Sequence, residues 1–193
     1  METAGPARRP TSHGPARPAA DRGPAPRWPA LAAAAWVGVF CAVAGTMLVR
    51  DLLLGGPGDD RGVVALAIGL RLVTVAAALA SVQAWGRRVP GWVLLGGLWG
   101  IAAVQLAYPL AETVVKGAIL AGVMDPVPKG ISDMSATGWF NFGMTWLIWG
   151  VPGVLFGLAA RSYGRRTPVP RRWVVIGALG GLVFLAALGL LIG

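Results

Sequence analysis

Apolar runs of membrane-crossing length, separated by short gaps whose cation content alternates, constrain this chain more than any other feature. Five segments, at about 29–49, 62–85, 91–111, 138–160 and 173–192, are each long enough to cross a hydrocarbon layer of about 30 Å as a helix. Five arginines precede the first run and two cations follow it. The later gaps hold Arg87 and Arg88, then Lys116 and Lys129, then five more arginines. Alternate gaps thus collect twelve cations on one side and four on the other, with Arg71 left inside the second run. Short loops with this asymmetry orient a membrane protein with its cationic side in the cytoplasm. The expected fold is an all-α polytopic transmembrane bundle of five spans, N-terminus in and C-terminus out.

The acids sort the opposite way. Glu2 and Asp21 fall on the cationic side, whereas Asp51, Asp59, Asp60, Glu112, Asp125 and Asp133 fall on the other. The net charge of +9 is therefore not a nucleic-acid signature, because almost all of it is topological. A basic inner surface lies against anionic lipid headgroups, each Lys or Arg near the surface adding about 1 kcal/mol. The bilayer is the expected partner, with an unidentified membrane partner or a homo-oligomer left open. The expected location is a bacterial plasma membrane. Cys41 is the only cysteine and His13 the only histidine, so no His/Cys metal cluster can be assembled and no cofactor is implied.

Residues 1–28 are rich in Pro, Ala, Gly and Arg without apolar period, and read as a disordered cytoplasmic tail ahead of a membrane domain at 29–193. A cleaved signal peptide is the competing reading, with Ala42-Val43-Ala44 as its cleavage triplet; the long basic region and an apolar run continuing to Val49 weigh against it. Span 1 repeats Ala34, Gly38, Ala42 and Thr46 at four-residue spacing, the expected face for close approach of a neighbour. The turn Gly86–Pro90 makes spans 2 and 3 an antiparallel hairpin. Glu112 and Lys116 form an i,i+4 pair that can prolong the third helix. The short apolar segment 113–124, closed by Pro126 and Pro128, fits an outer-surface or re-entrant helix rather than a sixth span. Trp28, Trp85, Trp92 and Trp173 fall at inner ends and Trp139 at an outer end, where indole prefers the headgroup zone.

Arg71 is the candidate for function. Its insertion cost of about 2.5–3.5 kcal/mol is offset by the ten Val, Leu and Ile residues of its run. An intramembrane charge faces a bundle interior or a water-filled cavity. Thr74 and Ser81 follow at helical spacing, so Arg71 heads a polar stripe suited to an anion, a headgroup, or one half of an ion pair. The structural alternative is an arginine satisfied by backbone carbonyls or snorkelling outward. Glu112 is the acid that a tilted or Pro109-bent third span can bring to Arg71, although Lys116 is its nearer partner. In span 4, Trp139, Phe142, Trp146 and Trp149 recur at 3-4-3 spacing and form one continuous aromatic face, for packing, for lipid, or for an isoprenoid- or quinone-like ligand. Pro152, between Gly150 and Gly153, should kink that span. Gly153 and Gly157 make a small-residue motif. Asp59-Asp60 is too isolated to be read as a diphosphate–Mg²⁺ site.

The run from Trp146 through Trp149-Gly-Val-Pro152-Gly153 and Phe156-Gly157 to the basic Arg161-Ser-Tyr163-Gly-Arg165-Arg166 resembles the penultimate span and basic loop of small polytopic membrane proteins of high-GC actinobacteria. The turn Trp85-Gly86-Arg87-Arg88-Val89-Pro90 is similar to theirs as well. The resemblance implies a cell type and a multi-pass helical fold, and it brings no catalytic residue. The function expected from the residues is that of a non-enzymatic integral membrane protein, packing or partner-binding in role. The alternative is a small transporter or channel component using Arg71.

Overall fold

The computed structural model describes residues 25–55 and 61–192, with side chains placed as far as Leu190. Most of the 1–28 tail, His13 and the Asp59-Asp60 pair lie outside the described residues. Helix α1 runs Trp28–Leu54, α2 Arg61–Ala80 and α3 Gly91–Leu120. Next, α4 (Ala136–Thr145), a π-helical turn (Trp146–Gly150) and α5 (Val151–Arg166) join end to end, and α6 covers Arg172–Ile192. With α4, the π-turn and α5 taken as one span, five helices are long and apolar enough to cross a membrane.

The helix ends follow local chemistry rather than the ends of the apolar runs. α1 outlasts its run by several residues, because no breaker occurs before Gly55. There a φ of 70° lets the amide close on the Asp51 carbonyl. α2 stops at Ala80, five residues before the end of the predicted run. The Ser81 hydroxyl donates to the Ala78 carbonyl (2.7 Å), and the chain folds beneath the helix end into a short 3₁₀ turn, Ala84–Arg88. That turn needs glycine at position 86, where a Cβ would lie 1.8 Å from the Ala80 carbonyl oxygen. Residues 113–120 continue α3 and do not form the separate surface or re-entrant helix expected of 113–124. The Glu112–Lys116 pair carries the helix forward, and termination waits for Gly122 at φ 71°. Pro109 sits inside α3 without ending it, and the Thr113 hydroxyl donates to its carbonyl (2.6 Å).

α1 packs on α2 and α5, while α3 packs on α6 and α5. α2 and α3, though joined by the tight turn, touch only lightly. The core is built of small and branched side chains: Ala33, Ala34, Val37 and Cys41 of α1, Leu94, Leu95, Leu98 and Ala102 of α3, Phe156 and Ala160 of α5. The buried face of α1 therefore runs through Ala30, Ala33, Val37 and Cys41. Of the expected Ala34–Thr46 stripe only Ala34 is buried, and Ala42 and Thr46 are exposed. Close approach occurs instead between α3 and α6. A Cβ on Gly177 would lie 2.2 Å from the Gly96 carbonyl oxygen, and one on Gly181 would lie 2.5 Å from that of Gly100. Among its described side chains α6 buries none fully, so this backbone-to-backbone seam, with Trp173 and Val174 packed on the core, holds it to the bundle. Away from α3, α6 exposes the apolar side chains Val175, Ile176, Leu179 and Val183.

Candidate functional site

Arg71 lies ten residues into α2, about 15 Å along a helix of about 30 Å, and so close to its midpoint. Its guanidinium carbon sits 4.1 Å from the Phe40 ring centroid and 4.4 Å from that of Trp149. Rings from α1 and from the π-turn thus hold it by cation–π attraction, worth about 2 kcal/mol or more each when desolvated. Neither an ion pair nor a backbone carbonyl satisfies it among the described residues, and Glu112 pairs with Lys116 instead. The polar stripe does not serve it either. Thr74 donates to the Arg71 carbonyl (2.7 Å) and Ser81 to that of Ala78, so both hydroxyls are spent on their own helix.

Beside Arg71, a groove of about 520 Å³ opens between α2, α3 and α6. It exists because α2 and α3 diverge from their shared turn, and the α3–α6 glycine seam at Gly96, Gly100, Gly177 and Gly181 forms part of its wall. Its walls are apolar except for Arg71, Thr74 and Gln105. Gln105 is 5% exposed, and its Oε1 has no hydrogen-bond partner. Helical periodicity alone does not single out Gln105. The signal was available, since a lone amide inside an apolar run merits the same question as a lone charge.

The expected aromatic face is split. Trp139 and Phe142 meet edge to face at 5.6 Å, and the Lys116 ammonium lies 5.2 and 5.9 Å from their centroids. The Trp146 indole donates to the Thr113 hydroxyl (3.1 Å), and Trp149 turns to Arg71. The π-turn causes the division, because its wider winding breaks the 3-4-3 register after Trp146. The π-turn ends two residues before Pro152, whose ring would crowd the Ile148 carbonyl in a regular helix. Glycine is required at position 150, where a Cβ would lie 2.2 Å from the Trp146 ring.

A second polar cluster lies near the far end of α3, about 32–38 Å from Gly91 along the helix. Lys116 and Glu112 are both buried, 3.8 Å apart, and the ammonium also donates to the Asp133 carbonyl. One carboxylate oxygen of Glu112 has no partner. The Asp133 carboxylate accepts the Ser135 amide (2.9 Å), and bonds from Ser135 hold its pKa below the usual range, with a smaller contribution from Lys116. One acid and one base, spent on each other, do not make a catalytic pair. No group of three or more metal-ligating side chains occurs among the described residues.

The opposite end of the bundle, where α1, α3 and α6 begin, holds a polar cleft lined by Arg27, Arg87 and Arg166. The entry to α1 is tied there by the Ser162 hydroxyl, which donates to the Pro26 carbonyl. Trp92 and Trp173 stack at 4.6 Å on the same end. The chain matches no protein-family model, no curated protein and no solved structure.

Proposed function

We propose that this chain is a multi-pass protein of a bacterial plasma membrane, N-terminus in and C-terminus out, with a binding rather than a catalytic role. In this reading the groove beside Arg71 takes a molecule with an apolar tail and a small acidic end. The observation that carries it is the way Arg71 is held. Two rings lie within 4.4 Å of the guanidinium carbon, and its N–H donors have no protein acceptor among the described residues. The ring contacts alone repay much of the insertion cost of about 2.5–3.5 kcal/mol, so the arginine can stay charged at mid-helix without a carboxylate. An incoming carboxylate or phosphate then finds planar, charge-assisted donors in a poorly hydrated setting. The Gln105 amide and the apolar groove supply a second polar contact and room for the tail.

The test is binding of a fluorescent long-chain fatty acid to the protein in detergent. Arg71→Leu should weaken binding at least tenfold while leaving the melting temperature within a few degrees. Equal affinity in wild type and variant would end the proposal. Orientation is tested separately. A cytoplasm-active reporter should work after Arg88 or Arg166 and stay silent after Lys129 or Gly193; a signal after Lys129 overturns the arrangement.

The transporter reading keeps one specific support, that Trp149 belongs to a π-helical turn, a form of winding frequent at functional sites. Movement of that turn would uncover Arg71. Arg71-dependent release of the same fatty acid across proteoliposomes would favour transport over static binding.

A further inference from the structure

The cleft at the inner end of the bundle differs from the Arg71 groove in chemistry and in place. It measures about 520 Å³ and is lined by Arg27, Gln83, Arg87, Tyr163, Arg166 and Thr167. Three guanidinium groups reach it from three separate pieces of chain: the entry to α1, the 3₁₀ turn after α2, and the last residue of α5. No carboxylate lines it. The charge of Arg27 bears repulsively on Arg166, so like charges are held together without a counter-charge among the described residues. Arg166 uses one N–H on the Ser162 carbonyl (3.3 Å) and keeps its terminal amines for other partners. The position of Arg27 is not left to chance, because the Ser162 hydroxyl fixes the preceding Pro26.

We propose that this cleft is a phosphate-binding site at the inner membrane surface, occupied by the phosphate of an anionic lipid. Arginine suits such a ligand because its planar donors match paired phosphate oxygens. The place suits it as well, since basic hollows between spans on the cytoplasmic side are where anionic headgroups lodge. The same chemistry would accept a soluble phosphate compound, and the experiment separates the two. The proposal requires insertion of the bundle but not the Arg71 groove, so Arg71→Leu should leave it intact.

The full chain is placed in nanodiscs containing phosphatidylglycerol or only phosphatidylcholine, and retained lipid is counted by native mass spectrometry. Wild type should keep phosphatidylglycerol selectively. Arg27→Gln with Arg166→Gln should weaken retention about 30-fold, the value for two contacts of about 1 kcal/mol each. Arg171→Gln with Arg172→Gln, in the same loop but outside the cleft, should change it less than twofold. Where the first pair lowers the melting temperature, Arg27→Gln with Arg87→Gln replaces it, both side chains being exposed. Displacement of the lipid by millimolar inorganic phosphate, or phosphate binding in phosphatidylcholine discs, would keep the site and assign it to a soluble ligand. An equal loss in cleft and control pairs would overturn the proposal, as would absence of both lipid selectivity and phosphate binding.

Discussion

Replacing Lys116 by Met tests the most completely buried charge of the bundle. The ammonium is 2% exposed and lies 3.8 Å from Glu112; it donates to the Asp133 carbonyl and has Trp139 and Phe142 beside it. Methionine keeps the length of the side chain and a favourable contact with the rings, but leaves Glu112 buried without a counter-charge. Breaking a buried pair from one side costs about 3–5 kcal/mol. At about 2–4 °C per kcal/mol for a chain of this size, the melting temperature should fall by about 6–20 °C. The assay is thermal unfolding in one detergent, followed by tryptophan fluorescence. The double variant Glu112→Leu with Lys116→Met removes the orphaned carboxylate and should recover much of the loss. Recovery stays incomplete, because the Asp133 carbonyl still lacks a donor, at about 1–3 kcal/mol. A drop smaller than about 2 °C for Lys116→Met, or strict additivity in the double variant, would refute burial of the pair.

Three further outcomes follow from the same geometry. Gly177→Ala should destabilise by about 1–3 kcal/mol, because its Cβ meets the Gly96 backbone. Gly180→Ala, which meets nothing within 4 Å, should be neutral or slightly stabilising in the same melt. Gln105→Leu should leave stability unchanged or raised, since it removes an unpaired buried amide, while weakening fatty-acid binding several-fold in the fluorescence titration. The Asp133 carboxyl has a folded pKa below its ordinary value of about 3.9. Its contribution is therefore complete above that value and is lost as pH falls through the lower folded one. Asp133→Asn should remove this acid-side loss from the pH profile of the melt and leave the profile near neutrality unchanged.

Apolar length made legible an all-helical fold with five helices long and apolar enough to cross a membrane, because such length is a direct physical requirement for crossing a bilayer. Helix ends were less so. Gly55 and Gly122 end helices through left-handed turns that hydropathy does not register, and α2 ends early because the chain folds back under it at Gly86. Small-residue faces were misassigned for a related reason. In a glycine-rich chain several stripes share the right spacing, and only the crossing of α3 with α6 selects Gly96, Gly100, Gly177 and Gly181. Arg71 was visible as an isolated charge, but its partners Phe40 and Trp149 come from other helices, and ring contacts leave no signature in spacing. The aromatic repeat was read as regular because a π-turn cannot be told from an α-turn by periodicity over so few residues.

The buried and half-buried cations of this bundle are satisfied to different degrees, and the differences separate support from binding. Lys116 has a carboxylate, a carbonyl and two rings, which is close to all that an ammonium can use, so its role is to fix the loop before α4. Arg71 has two rings and, among the described residues, no acceptor, which secures its position while leaving its directional donors unused. The arginines of the inner cleft have less still: a single carbonyl bond for Arg166, and repulsion between neighbours. A folded chain tolerates unused charged donors only where water, lipid or a ligand reaches them, since an unpaired buried charge costs several kcal/mol. In the proposed membrane arrangement the mid-helix groove lies away from bulk water, whereas the cleft lies where headgroups and solvent are both present. Selectivity for an acidic end-group is therefore expected to be sharper at Arg71, and dependence on salt steeper at Arg27 and Arg166.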